Sequence, residues 1–302
     1  MTEDTALDAE ERKALLAALA SEADALRPEL HRYASRLVGS VIDGEDVIQD
    51  AFARVFATAG SIPPDTALRP WLFRIVHNRA IDALRQRSTR RSEPLETAFD
   101  LADIGAVGPE DALIRQETVR MALSHFAELP VTQRSTVILK DVLGEPLADI
   151  AALLELSVDA VKAHLSRGRA RLRAISDRRQ EVAPPPSPEV LNFAALFNAR
   201  DWDALRRLLA DDVRLRQARR PEIDGAADVG RFFTYYAEYP PVRLEPAWLE
   251  GREILLVSAE PSDRPSYFML LEWRGQKISL IRDHRYATYV IEGADVMPAA
   301  SR

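Results

Sequence analysis

The chain has 302 residues, a formal net charge of −7 and 47% hydrophobic residues, which is typical of a folded protein with two or three domains. It has no cysteine, which excludes disulfides, a thiol nucleophile and cysteine-ligated zinc. The N-terminus is acidic without an apolar signal core, and no apolar run is long enough for a membrane span, so we expect a cytoplasmic protein with no membrane contact.

Apolar residues at three-to-four spacing predict four helices in residues 9–91: Ala14–Ala25, Leu30–Val38, Glu45–Ala57 and Pro70–Arg87. The third helix carries an acid-rich face that contains Asp46, Gln49 and Asp50. Such a face repels DNA and suits a protein with a basic surface, although spacing alone favours a plain solvated face.

The segment at residues 69–91 holds seven arginines and one acid. At helical spacing, its apolar residues share one face, and the opposite face carries Arg74, Asn78, Asp82 and Arg85 with Trp71 at its edge. Arginine neutralises phosphate, asparagine can read a base edge and an aromatic ring can stack on an unpaired base. The pattern is compatible with a nucleic-acid contact and equally with an arginine-rich surface helix.

Residues 92–114 contain six acids and no base, together with prolines and glycines, which predicts an extended linker. Residues 115–180 are again helical and contain a helix-turn-helix pattern: a short helix at 147–155, a turn in which Ser157 caps the next helix, and a second helix over Val158–Ile175. Lys162, Ala163, Ser166 and Arg167 would point outward near its start, and Arg169 with later arginines would meet phosphates. A plain helical hairpin with a basic, solvated end is the alternative.

A proline-rich boundary at residues 182–188 precedes a segment of different periodicity. It predicts three helices, Leu191–Ala199, Trp202–Ala210 and Ala226–Tyr236. It also predicts five strands, Val213–Arg216, Val242–Leu249, Glu253–Ala259, Ser266–Trp273 and Lys277–Tyr286. The tail is therefore predicted to be a separate α+β domain.

The sequence Asp43–Phe52, followed by Arg69–Arg85, resembles the second conserved region of bacterial extracytoplasmic-function (ECF) sigma factors. Leu129–Gly144 and the helix-turn-helix resemble their fourth region. The resemblance implies two all-α domains, at 9–91 and 115–180, joined by the acidic linker at 92–114. It also implies a protein that binds core RNA polymerase, recognises promoter DNA and promotes strand opening. No catalytic residue, metal or cofactor is expected, so the chain would not be an enzyme.

Together with the faces described above, the resemblance implies three sets of site residues. The set that would contact the clamp of core RNA polymerase is Asp46, Gln49, Asp50 and Phe56. The set at the downstream promoter box, where the strands separate, is Trp71, Arg74, Asn78, Arg79, Asp82 and Arg85. The set at the upstream promoter box is Ser157, Lys162, Ala163, Ser166, Arg167 and Arg169.

The tail, at residues 188–292, resembles a SnoaL-like domain, which implies a cone-shaped curved sheet wrapped by helices around a cavity. In sigma factors such a tail is thought to regulate activity, with a small-molecule ligand as one possibility. Two rivals stay open. One is a helix-turn-helix repressor or activator with a ligand-sensing tail. The other is a SnoaL-like enzyme fused to a DNA-binding module, with Asp283 or His284 as general base, of which only one could reach the cavity.

Overall fold

A computed structural model of the chain describes residues 9–58, 62, 66–91, 123–175, 183–238, 242–259, 265–291, 294 and 296–299. The predicted acidic linker at 92–114 lies outside these residues. The chain divides into two compact units, Met1–Arg178 and Arg179–Arg302. None of the helices that the structure describes is long and apolar enough to cross a bilayer.

The first unit opens with three helices, α1 (Ala9–Val38), α2 (Val41–Thr58) and α3 (Leu68–Arg91). The sequence predicts two helices where the structure has the single helix α1, which continues through Pro28. Proline removes one backbone donor and normally breaks a helix. Here the residues around it are held by packing against the neighbouring helices, since Leu26 and Leu30 are buried in the core, and this packing outweighs the local preference.

Five further elements follow in the same unit. They are α4 (Leu123–Ala127), α5 (Val131–Val137), a π-helical turn at Ile138–Val142, α6 (Leu147–Leu154) and α7 (Val158–Ile175). The bounds of α7 are those predicted from the sequence, and the Ser157 cap is confirmed because its Oγ accepts the amide of Ala160 at 3.1 Å. A single hydrophobic core includes side chains of α1, α2 and α3 together with those of α5, α6 and α7.

A buried arginine ties the end of α1 to the connection between α4 and α5. The Arg134 guanidinium donates to the carbonyl oxygens of Leu37 at 2.6 Å, Ala127 at 2.5 Å and Leu129 at 2.9 Å. Burial lowers the pKa of Arg134 to about 10, so the group stays charged at neutral pH. The carbonyl of Leu37 lies at the C-terminal end of α1, where the helix dipole is negative and favours a cation.

The second unit contains three helices and one seven-stranded sheet. The helices are α8 (Pro188–Asn198), α9 (Trp202–Arg207) and α10 (Ala226–Glu238). The strands are β1 (Leu209–Gln217), β2 (Ile223–Asp224), β3 (Val242–Leu249), β4 (Arg252–Ala259), β5 (Pro265–Arg274), β6 (Lys277–Asp283) and β7 (Val296–Pro298). Their order is β2-β1-β6-β5-β4-β3-β7, and β1 and β6 run parallel while the other neighbouring pairs are antiparallel.

Several element ends differ from the prediction, and the second unit gives two examples. The helix predicted to run to Ala210 ends at Arg207, because the amide of Ile278 donates to the carbonyl of Leu208 at 2.8 Å and Leu209 already pairs with β6. The strand predicted to run to Tyr286 ends at Asp283. The contact that fixes the end of α9 lies far away in the sequence. The core of this unit is rich in aromatic side chains, among them Phe193, Phe197, Phe233 and Tyr236.

Candidate nucleic-acid interface

A cavity of about 250 Å³ lies between α2 and α3. Three of the six residues predicted for the downstream box, Asn78, Arg79 and Asp82, line it. The position of these side chains follows from the opposite face of α3, where Leu72 and Val76 are buried in the core. The cavity therefore presents an amide, a guanidinium and a carboxylate, which together offer both donors and acceptors to a base edge.

The guanidinium of Arg79 connects the two predicted binding surfaces of the first unit. It pairs with Asp50 at 2.6 Å and with Asp82 at 3.6 Å, and its own side chain is only 16% exposed. Asp50 belongs to the face of α2 predicted to contact polymerase, whereas Arg79 was predicted to contact DNA. Sequence spacing does not reveal this pair, because the two residues are on different helices.

The N-terminal part of α3 faces the helix-turn-helix. Trp71 is half-buried against the core, and the exposed Arg74 donates to the carbonyl of Ala152 at 3.1 Å. Arg69 donates to both carboxylate oxygens of Glu29, at 2.8 and 2.7 Å, and to Glu145 at 2.5 Å. The Arg69 guanidinium therefore links α1 to the residues that precede α6.

The residues predicted for polymerase form a mixed surface on α2. Asp50 has a side chain that is 62% exposed and Phe56 is 43% exposed, whereas Asp46 and Gln49 are half-buried. The amide of Gln49 donates to Glu45 at 3.5 Å, and Glu45 forms a buried ion pair with Arg27 at 2.6 Å. A helix that exposes both a phenylalanine and an acidic group is a surface that a protein partner with apolar and basic side chains can cover.

Among the residues predicted for the upstream box, Ser157 is exposed. Four more are half-buried on α7, namely Lys162, Ala163, Ser166 and Arg167. Lys162 pairs with Asp159 at 3.1 Å, an exposed contact that contributes little to stability. Arg167 lies 3.4 Å from Nδ1 of His164, whose pKa is lowered by desolvation and then by that cation.

Arg169 differs from these five residues. Its guanidinium donates to both carboxylate oxygens of Asp141, at 2.9 and 2.6 Å, and the Asp141 side chain is fully buried. The charge of Arg169 is therefore already neutralised by the π-helical turn, and contact with a phosphate would compete with this ion pair. The ion pair holds α7 against that turn. The helical spacing of basic residues cannot predict this role.

Gly168 is a further residue that sequence reasoning missed. A Cβ atom at this position would lie 2.6 Å from Cγ2 of Val137, so α5 and α7 cross too closely for any side chain. The signal in the sequence is a glycine in the middle of a predicted helix. Glycine lowers helix stability there, so its presence indicates a packing requirement.

The second unit has a cavity of about 600 Å³, bounded by β1, the turn that follows β1, α10 and the residues after β6. Asp283 does not line it. The carboxylate is buried and accepts hydrogen bonds from the Gln217 amide at 2.7 Å, the Tyr236 hydroxyl at 3.4 Å and the backbone N–H of Arg285 at 3.1 Å. Burial raises the pKa of Asp283 to about 6.

His284 does not line the cavity either. Its ring stacks on Phe268 with centroids 4.3 Å apart. The expectation that Asp283 or His284 reaches the cavity is therefore wrong. The physical reason is the pairing of β1 with β6, which places Gln217 beside Asp283 and between that carboxylate and the cavity.

Comparison with known proteins gives three family matches: Sigma-70 region 2 at residues 23–90, Sigma-70, region 4 at residues 121–172, and SnoaL-like domain at residues 190–258. The ECF RNA polymerase sigma factor SigM of Mycobacterium tuberculosis is 35% identical over 144 residues, which cover 48% of this chain and 69% of SigM. SigJ of the same organism is 32% identical over 209 residues, with 64% and 62% covered. The crystal structure of SigJ covers 91% of this chain and 99% of that chain at 23% identity, with a TM-score of 0.36.

Proposed function

Because the chain belongs to the ECF RNA polymerase sigma factors, we propose that the cavity between α2 and α3 receives a base of the separated promoter strand. Members of this family are not enzymes; they act with core RNA polymerase at promoter DNA to initiate transcription. What is proposed is how the surfaces of this chain divide that work. The proposed division is residues 9–91 for polymerase and the downstream box, 115–180 for the upstream box, 92–114 as linker, and 188–292 as regulatory tail.

The observation that carries the strand-capture proposal is the convergence of Asn78, Arg79 and Asp82 on one cavity. A base leaves its stack at a cost of a few kcal/mol, which hydrogen bonds to its edge can offset. Arg74 and Arg85 are exposed on the same helix and would neutralise the phosphates of that strand. Trp71, half-buried at the edge of this face, would contribute an aromatic surface for stacking.

The polymerase contact is proposed for the α2 surface formed by Asp46, Gln49, Asp50 and Phe56. Its exposed aromatic ring packs edge-on to Phe52 at 6.4 Å, so the ring is oriented before any partner binds. The acids beside it favour a basic partner surface, and the clamp of core polymerase is the partner that the family implies. The ion pair between Asp50 and Arg79 would then couple polymerase binding to the strand-capture cavity.

The upstream contact is proposed for the first two turns of α7. Ser157 caps that helix, and Lys162, Ala163, Ser166 and Arg167 follow on its accessible side, where a recognition helix meets base edges in the major groove. Arg169 would support the contact from behind by holding α7 in place through Asp141.

The tail is proposed to modulate transcription, with its cavity as a candidate small-molecule site. Deleting residues 182–302 tests the regulatory part in run-off transcription, where unchanged promoter output would reject it.

The strand-capture proposal is tested by Asn78→Ala in polymerase holoenzyme. Loss of one base contact costs about 1–3 kcal/mol. We therefore expect promoter opening, measured by permanganate reactivity of unpaired thymines, to fall about tenfold, while polymerase binding is unchanged. Gln86→Ala is the matched control, since Gln86 is exposed on the same helix outside the cavity. Unchanged opening would contradict the assignment, and equal loss of opening and polymerase binding would instead point to misfolding.

The rival function, an ordinary helix-turn-helix repressor, is separated by a second measurement. A repressor binds promoter duplex without polymerase, whereas this chain should bind weakly alone and strongly as holoenzyme. Tight binding of the isolated chain to duplex DNA in a gel-shift assay would favour the repressor.

A further inference from the structure

We infer that the cavity of the second unit binds an organic anion, namely a carboxylate carried on an aromatic or alicyclic body. The cavity has a volume of about 600 Å³ and is formed by β1, the turn that follows β1, α10 and the residues after β6. This volume lies within the range of sites that hold small molecules rather than peptides or nucleic acids.

The charge of the cavity comes from arginines that converge from different segments. Arg220 follows β1, and its guanidinium lies over the ring of Tyr286 at 5.0 Å. Arg285 follows β6, and its guanidinium lies over the ring of Tyr236 at 5.4 Å. A guanidinium stacked on an aromatic face is held in orientation and presents its N–H groups in the plane, which is the geometry that a carboxylate accepts through both oxygens.

The acids near the cavity offset its positive charge only in part. Asp228 lines the cavity but pairs with Arg231, three residues along the same helix. Asp283 does not line the cavity and accepts a hydrogen bond from the Gln217 amide, although its charge also acts on Arg285. Among the residues that the structure describes, Arg220 has no carboxylate partner, and the balance around the cavity favours an anion over a cation.

Apolar surface determines the rest of the ligand. Leu215 and Phe232 lie in the lining but are almost fully buried by the protein, so the accessible apolar surface comes from the half-buried Ile223 and from the tyrosines at the rim. At the rim, Tyr235 is 60% exposed and Tyr286 is 39% exposed. Large exposed aromatic side chains around a concave apolar surface mark a binding site, because a ligand with a flat apolar body would remove their rings from water. A compact polar anion such as phosphate would leave this surface uncovered.

The inference deepens the proposed regulatory role of the tail and rests on it only for the effect of the ligand on transcription. Binding itself is measured separately. The probes are 2-naphthoate and its neutral isostere 2-naphthamide, titrated into the full chain by isothermal calorimetry. We expect 2-naphthoate to bind at least about tenfold more tightly than the amide, because only the acid forms charge-assisted hydrogen bonds with the arginines.

Arginine substitutions test whether that discrimination comes from the cavity. In Arg220→Gln/Arg285→Gln we expect the acid to bind no better than the amide, with amide binding retained. Arg243→Gln is the matched control, since Arg243 is exposed on β3 outside the cavity, and it should bind like the wild type. If the double variant loses its thermal unfolding transition, Arg220→Gln alone decides, because Arg220 is an exposed residue.

Three results would overturn the inference: equal affinity of the acid and the amide, discrimination that survives Arg220→Gln/Arg285→Gln or is undiminished in Arg220→Gln, or no binding of the acid at about 1 mM by folded protein. Run-off transcription separates it from the proposed function. Transcription that depends on the tail without any acid binding rejects the ligand site alone. Acid binding with transcription that is unaffected by deletion of residues 182–302 rejects the regulatory role and leaves the site intact.

Discussion

The buried carboxylate of Asp283 makes the stability of the tail depend on pH in the direction opposite to that of an ordinary paired acid. Burial raises its pKa from the ordinary value of 3.8 to about 6, against the lowering effect of the hydrogen bond from Gln217. The folded tail therefore binds a proton more tightly than the unfolded chain. The stabilisation is fully present below pH 3.8 and is lost as the pH rises through 6. We predict that Asp283→Asn, which removes the ionisation, also removes this dependence.

The magnitude follows from the two pKa values. An increase from 3.8 to about 6 corresponds to about 3 kcal/mol of unfolding free energy, and most of it develops between pH 7 and pH 4. At pH 8 the asparagine variant avoids the cost of a buried charge, so its tail should be the more stable one. Near pH 4 the wild-type carboxyl is protonated in the folded tail, and the advantage of the variant should shrink by about 2–3 kcal/mol.

The assay is urea unfolding followed by tryptophan fluorescence in a Trp71→Phe background. Of the four tryptophans, Trp71 is the one in the first unit, so the remaining signal, from Trp202, Trp248 and Trp273, reports on the tail. The quantity to compare is the difference between Asp283→Asn and its parent at each pH, because other carboxylates contribute equally to both. A difference that stays constant from pH 8 to pH 4 would refute the argument.

Two further predictions concern α7. Gly168→Ala should destabilise the first unit by about 1–3 kcal/mol and weaken upstream-box footprints of the holoenzyme, because its Cβ would lie 2.6 Å from Val137; wild-type melting and footprints would contradict the close crossing. Arg169→Ala should cost about 3–5 kcal/mol by leaving the buried Asp141 without its partner, whereas Arg167→Ala should weaken DNA binding at unchanged stability. A reversed pattern in thermal melts and footprints would show that Arg169, not Arg167, is the DNA contact.

The helix-turn-helix was predictable because its signals are local. The apolar spacing of α7 and the serine cap before it depend on neighbours within one turn, and both are confirmed by the bounds of α7 and the Ser157 hydrogen bond. The local signal at Pro28 gave a wrong prediction. Proline favours a helix end, but tertiary packing keeps α1 continuous through this residue. The fold class of both units was likewise accessible from periodicity, since the strand patterns occur only in the second unit, after its first two helices.

The sequence predicted which residues share a helix face, but not which residues on different elements contact each other. Spacing placed Asn78 and Asp82 on one face of α3, but the cavity that joins them to Arg79 depends on α2. The sequence alone does not show that Arg169 forms an ion pair with Asp141. The same holds for Asp283, whose distance from the cavity depends on the register between β1 and β6.

Arg134 has a consequence for how the first unit responds to its surroundings. Its three acceptors are backbone carbonyls, which have no proton to gain and no counter-ion to lose. Acid or salt that weakens an ion pair, such as the one between Arg79 and Asp50, leaves the three Arg134 hydrogen bonds in place. The junction between α1 and the α4–α5 connection is therefore expected to keep its hydrogen bonds in acid and in salt that weaken surface ion pairs.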